Sequence, residues 1–301
     1  MITYYKRTLN DRKLKIIDKF SKGCWINVVN PTNEELDFLT NEFKLDKENL
    51  LSGLDKNEVP RVEFDDNEIY IIVKILSGKE EFLDTCLILI TDKFILTLSS
   101  SEPLFVRSVF ENKIKITTTQ KLKTLIKFLS MINDRFERET IRIVKIVNAK
   151  KSSTKEIREK DLRILLQQEE KLNNLISSYY HTSLIYERLL KKVKFFEEDK
   201  GIMEDLIIDS NQGLNLCKSS LKTISNLRNY QTILLSNKMN RTITILTIFT
   251  IFLGISTAVS GFYGMNVLLP FQDNPHIALY LVSVMFLAGI SLLVYFFRIG
   301  L

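Results

Sequence analysis

The residues with usable chemistry near the end of the chain are Tyr263-Gly264-Met265-Asn266, which close a stretch running from Thr242 without a single charged residue. Upstream of them, Asn240, Ile243, Leu246, Thr250, Gly254, Thr257 and Gly261 recur at spacings of three and four and fall on one face of a helix. From Thr250 onward that face is small or hydroxylated, while Phe249, Phe252, Leu253 and Phe262 point elsewhere. Such a face either packs closely against another helix or lines a watery path. Its donors are hydroxyl and amide oxygens, with no histidine or cysteine among them. Oxygen alone suits hard, hydrated cations and does not suit softer ones.

The elements that must hold these residues are two apolar spans. Residues 242–262 and 277–297 are each about 20 residues without a charge, enough for a helix to cross a hydrocarbon layer of about 30 Å. Lys238 and Arg241 precede the first span and Arg298 follows the second, whereas the connecting loop carries only Asp273 and His276. The excess of basic residues predicts an external loop and both termini on the cytoplasmic side. Two spans cannot enclose a conduit, so a pore requires several copies with the small face turned to a common axis.

The tetrapeptide resembles the Tyr-Gly-Met-Asn signature of the CorA family of divalent-cation channels, at the outer end of the penultimate span. Ser236-Asn237-Lys238 with Asn240, and Arg61-Val62-Glu63-Phe64 after Pro60, are similar to that family as well. The resemblance implies an α+β membrane protein: an N-terminal cytosolic α/β/α domain, long coiled-coil-like helices, and a stalk helix continuous with the first of two C-terminal spans. It implies a homopentamer in the lipid bilayer of the cell membrane, passing Mg2+, with Co2+ or Ni2+ as further candidates. Asn266 would meet a hydrated ion at the mouth, with Gly264 exposing backbone and Tyr263 and Met265 packing behind. Asn240, Thr250 and Thr257 would form deeper polar rings, and Ile243 and Leu246 an apolar constriction that gates by dewetting. The loop departs from relatives rich in acids, since Asp273 is its only carboxylate.

Glu204, Asp205 and Asp209 lie farther upstream. Taken alone they read as a solvated helix start, where acids are favoured. The resemblance implies instead that Asp205, with Asp209 and Glu204 nearby, helps hold a regulatory intracellular Mg2+ against a neighbour's Glu80 or Glu81. Two other readings remain: a Zn2+ transporter of the same superfamily, and a non-conducting scaffold anchored by the hairpin.

Composition limits the field. The chain has 301 residues, 26% charged and 45% hydrophobic, with a net charge of +6. That charge could serve nucleic acid, yet basic and acidic residues are interleaved and no nucleic-acid motif occurs. Cys24, Cys86 and Cys217 have no paired spacing and read as reduced core residues. Ser77-Gly78-Lys79 lacks the earlier glycine of a phosphate loop, and His181 and His276 have no nucleophile beside them. No enzyme and no organic cofactor is expected, and the N-terminus carries no apolar export signal.

In chain order, residues 1–117 read as a mixed α/β domain. Strands are expected at 24–30, 69–76, 85–90 and 93–98, with helices at 32–43 and 48–54. Thr32 and Glu35 have capping-box spacing. Residues 118–200 read as long antiparallel helices. Leu125, Leu129, Ile132, Phe136 and Ile143 form one stripe, and Leu165, Leu172, Tyr179, Tyr186 and Val193 recur at every seventh residue. Residues 151–154 are expected to break the first helix and cap the next, and Glu197 to Gly201 to reverse the chain. Residues 201–241 form the stalk, 242–262 the first span, 263–276 the signature and loop, 277–297 the second span, and 298–301 a tail.

Overall fold

The computed structural model describes residues 1–65, 67–77, 82–110, 114–152, 159–268, 270–271 and 273–298. Its elements are β1 (Ile2–Lys6), β2 (Lys15–Ile17), β3 (Trp25–Val29), α1 (Asn33–Phe43), α2 (Lys47–Ser52), β4 (Arg61–Asp65), β5 (Glu68–Leu76), β6 (Leu83–Ile90) and β7 (Ile95–Ser99). There follow α3 (Leu104–Phe110), α4 (Lys121–Ser152), α5 (Glu159–Lys192), α6 (Glu197–Tyr263) and α7 (Ile277–Arg298). Two compact units result, Met1–Asn226 and Leu227–Leu301. Together they realise the expected plan of an N-terminal α/β domain, long helices and a C-terminal apolar pair.

In the first unit the strands form one sheet of order β2-β1-β3-β7-β6-β5-β4. β3 and β7 pair in parallel, and the other neighbours are antiparallel. Strand alternation decides the two faces. Ile26 and Val28 join Leu36, Leu39, Leu50, Leu87, Leu89, Leu96 and Leu98 in one core. From the other face of β3, Trp25 meets Phe128 of α4 with ring centroids 5.2 Å apart, and Phe128 meets Phe105 at 5.0 Å. β6, covered on both faces, is buried almost throughout and reads as a continuous apolar run from Cys86 to Ile90. Where polar groups enter this interior they are paired. Trp25 Nε1–H donates to Thr97 Oγ1 at 2.9 Å, and that hydroxyl donates to Asn27 Oδ1 at 2.8 Å.

α1 opens with the expected capping box. Thr32 Oγ1 accepts from Glu35 N at 3.2 Å, and Glu35 Oε2 accepts from Thr32 N at 3.0 Å. Glu35 also takes the N-terminal ammonium at 2.8 Å. The amine, with the Thr32 amide, holds its carboxyl below the usual carboxylate range.

The long helices pack through the stripes read from the sequence. Leu125, Leu129, Phe136, Ile143, Leu165, Leu172, Tyr179 and Tyr186 are all buried. Val193 lies one residue beyond α5 and is half-buried. The chain reversal falls at residues 193–196, not at Glu197 to Gly201. Glu197, Glu198 and Asp199 instead form the first turn of α6, where their charge complements the exposed amides of a helix start. Lys151 and Ser152, expected to break the first helix, instead continue α4 to its last described residue, and the Thr154 cap lies outside the described residues.

α6 buries Met203, Leu206 and Ile224 in the first unit and also meets its neighbours through small and polar residues. Tyr179 Oη and Thr140 Oγ1 are 3.1 Å apart, Cys217 Sγ is 3.7 Å from the same threonine, and Ser210 Oγ donates to Asn133 Oδ1 at 3.1 Å. Gly213 makes room for the tyrosine, because a Cβ there would fall 2.4 Å from Tyr179 Cζ. Gly213→Ala is therefore expected to destabilise this unit by about 1–3 kcal/mol through overpacking. Gly201, with nothing within 4 Å of its would-be Cβ, should accept alanine with no loss and up to about 1 kcal/mol of helix-propensity gain. Thermal unfolding of the detergent-solubilised protein checks the contrast, and equal midpoints for the two variants would refute it.

Candidate functional site

The second unit consists of the C-terminal half of α6, a short loop and α7. The apolar part of α6 is long enough to cross a membrane, and only 6% of that stretch is buried within the protomer. Its large side chains, Ile245, Phe249, Leu253 and Phe262 among them, are exposed. A surface this apolar needs lipid or other copies around it. α7 has 22 residues with the apolar stretch Ile277–Ser291. The two helices touch closely, since a Cβ on Gly289 would lie 2.6 Å from the Phe252 ring.

Asn240, Ile243, Leu246, Thr250, Gly254, Thr257 and Gly261 all lie on α6, and all are exposed in the single protomer. Their spacing therefore leaves a small, polar-edged stripe without a partner inside its own chain. The Thr250 hydroxyl of the stripe is oriented by the helix. Thr250 Oγ1 donates to the Leu246 carbonyl at 2.8 Å, and on neighbouring faces Thr244 donates to Asn240 and Thr247 to Ile243 at 2.9 and 2.8 Å. With its hydrogen committed to the backbone, such a hydroxyl turns only lone pairs outward. It then accepts from water and offers nothing to repel a hydrated cation.

α6 ends at the signature. Gly264 N–H donates to the Ser260 carbonyl at 3.0 Å and Met265 N–H to Phe262 at 3.3 Å, so the last turn tightens as it stops. The Gly264 position has little spare room, because a Cβ would sit 3.2 Å from Ser260 O. Asn266 follows in a bend with its side chain exposed. Tyr263 is half-buried and reaches the loop, its hydroxyl 3.5 Å from the Pro270 carbonyl. Phe271 adopts φ +64°, an uncommon conformation for an aromatic residue. Asn274 Oδ1 accepts from His276 N at 3.0 Å and opens α7. The Tyr263 tether and the Asn274 turn are absent from the sequence reading, although Asn274-Pro275 is a known turn signal.

Glu204, Asp205 and Asp209 are exposed on the part of α6 that belongs to the first unit. Glu204 lies 3.9 Å from Lys200 Nζ. Asp205 and Asp209, one helical turn apart, share a face. Glu80 and Glu81 lie outside the described residues. Among the described residues no three histidine, cysteine, aspartate or glutamate side chains are grouped closely enough to hold a metal. Among the described residues a single protomer thus brings only the Asp205–Asp209 pair to this face, fewer carboxylates than a divalent ion takes from oxygen.

An α/β domain followed by long helices and a close apolar hairpin defines a membrane-embedded protein with a large polar part. A family model described as CorA-like Mg2+ transporter protein matches residues 20–298, and the chain belongs to that family. It is 28% identical over 295 residues to the cobalt/magnesium transport protein CorA of Methanocaldococcus jannaschii, covering 91% of this chain and 89% of the relative. The complete structure of the CorA magnesium transporter from the same organism superposes with a TM-score of 0.83 at 22% identity, over 100% of this chain and 98% of that one. The full-length CmaX protein has the same fold at a TM-score of 0.74 and 17% identity, over 99% and 96% of the two chains.

Gly264→Ala sets a methyl against the Ser260 carbonyl and is expected to open the last turn of α6. Amide hydrogen exchange across residues 260–266 should then quicken by about tenfold, equivalent to roughly 1.4 kcal/mol. Unchanged protection would mean that the turn has slack to spare.

Proposed function

We propose that the chain is a Mg2+ channel that admits hydrated divalent ions, Co2+ and Ni2+ included, down the membrane potential. The observation that carries this reading is Tyr263-Gly264-Met265-Asn266 closing α6 just ahead of α7, in a chain of the CorA-like family. Residues 242–262 and 277–297 are the two spans, 263–276 the external mouth, and 1–241 with 298–301 the cytoplasmic parts. Copies assemble as a homopentamer in the cell membrane with the stripe of α6 facing the axis.

The chemistry follows from the ion's hydration. Mg2+ gives up water reluctantly, so a filter works best by accepting hydrogen bonds from its waters. The Asn266 carbonyl does this at the mouth without a formal charge, which favours release as well as entry. Thr250 and Thr257, and Asn240 at the inner end, continue the acceptor path. Ile243 and Leu246 form the apolar constriction between them. A divalent ion entering a cell gains about 4.6 kcal/mol per 100 mV of inside-negative potential, so no hydrolytic engine is required.

The test is Mg2+ entry into proteoliposomes holding the purified full chain under an imposed inside-negative potential. Entry should follow the potential in the wild type and vanish in Asn266→Ala. Entry that survives the substitution would remove Asn266 from the filter, and Zn2+ movement driven by a proton gradient in its place would assign the chain to another transport class.

Internal Mg2+ closes the channel in the same reading. Asp205 and Asp209 take an ion together with carboxylates of an adjacent subunit, Glu80 or Glu81. Neutralising their mutual repulsion favours the assembled, closed state, and the effect can be no larger than the ion's preference for that state. Asp205→Lys combined with Asp209→Asn is expected to raise the half-inhibiting internal Mg2+ concentration by about tenfold or more. Inhibition at the wild-type concentration in that double variant would sink the idea.

A further inference from the structure

The first unit holds a cavity of about 440 Å³ lined by no residue of the stripe or the signature, within the range of roughly 300–1,000 Å³ that small-molecule sites occupy. Four segments of chain meet there: the β4–β5 turn, the β6–β7 turn, the start of α4 and the connection from α5 to α6. Ile69 and Ile90 supply apolar wall. Lys121, Lys123, Lys194, Asp92, Asp199 and Phe196 supply the rest of the chemistry.

Asp199 is the unusual member. It is 5% exposed and lines the cavity, yet among the described residues it makes no hydrogen bond or ion pair. Acids at a helix start need no burial to favour the helix, and Glu197 and Glu198 fill that role from exposed positions. A ligand that fills the cavity takes this carboxylate out of water and must donate hydrogen bonds to it in return.

The cavity lining also carries cations. Lys121 and Lys123 stand in the first turn of α4, whose leading amides have no partner in the helix. Lys121 donates to the Thr91 carbonyl. Burial pushes its ammonium below the ordinary lysine value, Asp92 opposes that shift and Lys22 adds to it. Lys194 completes the basic side from the α5–α6 connection. Lysines together with a helix start are the usual seat of a phosphate.

Phe196 lines the same cavity and is 77% exposed. A bare divalent ion fits the cavity poorly, since three lysines would repel it. A bare phosphate fits poorly as well, since its negative charge would stand against the Asp199 carboxylate and it leaves the Phe196 ring uncovered. A molecule that joins phosphate, hydroxyl donors and a flat ring answers all three requirements.

We propose that this cavity binds a nucleoside phosphate, with the phosphates at Lys121, Lys123 and Lys194, the ribose hydroxyls at Asp199 and the base on Phe196. No co-reactant and no chemical step is involved. The site lies within one subunit and does not depend on the channel reading.

The test is calorimetric titration of the purified full-length protein with ATP in the presence of EDTA, so that no divalent ion takes part. Saturable binding with a Kd below about 1 mM is expected. Adenosine and inorganic tripolyphosphate should each bind at least about tenfold more weakly. Phe196→Ala and Lys194→Gln alter exposed side chains and should fold normally, as an unchanged unfolding midpoint would verify, and each should weaken ATP by about fivefold or more. Asp199→Asn should weaken ATP and leave tripolyphosphate unaffected. Absence of saturable ATP binding, equal affinity for tripolyphosphate, or an ATP affinity untouched in both exposed-residue variants would each overturn the assignment.

Discussion

Hydrocarbon offers the backbone no hydrogen-bond partner, so a chain that crosses it must satisfy every amide and carbonyl internally. The architecture of the second unit follows from that constraint. α6 runs unbroken from Glu197 to Tyr263, with no proline before Pro270 to remove a donor. Hydroxyls on the apolar stretch bond back to carbonyls one turn earlier, as Thr247, Thr250 and Ser256 do at 2.8, 2.8 and 2.9 Å. Their polarity is thereby half spent on the helix, and what remains outward is acceptor only. The same constraint dictates where the helix can stop. It ends at the tetrapeptide, where the Gly264 and Met265 amides are still satisfied from within the last turn and Asn266 becomes the first side chain free of helical geometry.

The first unit solves the opposite problem, that of placing polar groups in a dry interior. The Trp25–Thr97–Asn27 chain fixes β3 against β7, because a slip of one residue would leave three buried groups unpaired. The Thr140–Tyr179–Cys217 contacts and the Ser210–Asn133 bond do the same for α4, α5 and α6. Such pairs add modest net stability, since water competes for the same groups in the unfolded chain. Their larger effect is on register, for a heptad stripe alone tolerates sliding and a buried hydroxyl does not.

Much of this could be read from the sequence, for identifiable reasons. The two uncharged runs and the heptad of α5 are long periodic signals, and the capping box of α1 is a local one that tertiary packing has no cause to override. Three strands escaped notice: β1 (Ile2–Lys6), which lies before the first clear alternating run and is made a strand by pairing with β3, and two that are short or polar. β2 has three residues, and β4 is Arg-Val-Glu-Phe-Asp, its Arg61 paired with Glu63 at 2.5 Å and also with Glu58. Only pairing with β5 makes that segment a strand. The misplaced reversal has a similar cause. Three acids followed within two residues by a glycine look like a turn, yet acids suit a helix start and Gly201, facing open space, costs the helix only about 1 kcal/mol. The signature was legible as a motif, but the Tyr263–Pro270 tether was not, because it joins groups whose approach depends on the whole loop.

The acids of α6 show why spacing alone cannot assign roles. Asp199, Glu204, Asp205 and Asp209 stand within three turns of one another, and composition treats them alike. Burial separates them: Asp199 is enclosed within its own subunit, while the other three are exposed. An enclosed carboxylate answers to a molecule that one chain can bind by itself. An exposed pair one turn apart cannot complete the shell of a divalent ion by itself, so an ion held there, as proposed, would need carboxylates from a second chain. Both sets lie on the same helix that carries the stripe. If both sites are occupied, each ligand biases α6 only through its own difference in affinity between two states. The two inputs would then add as free energies, and neither would need to touch the other.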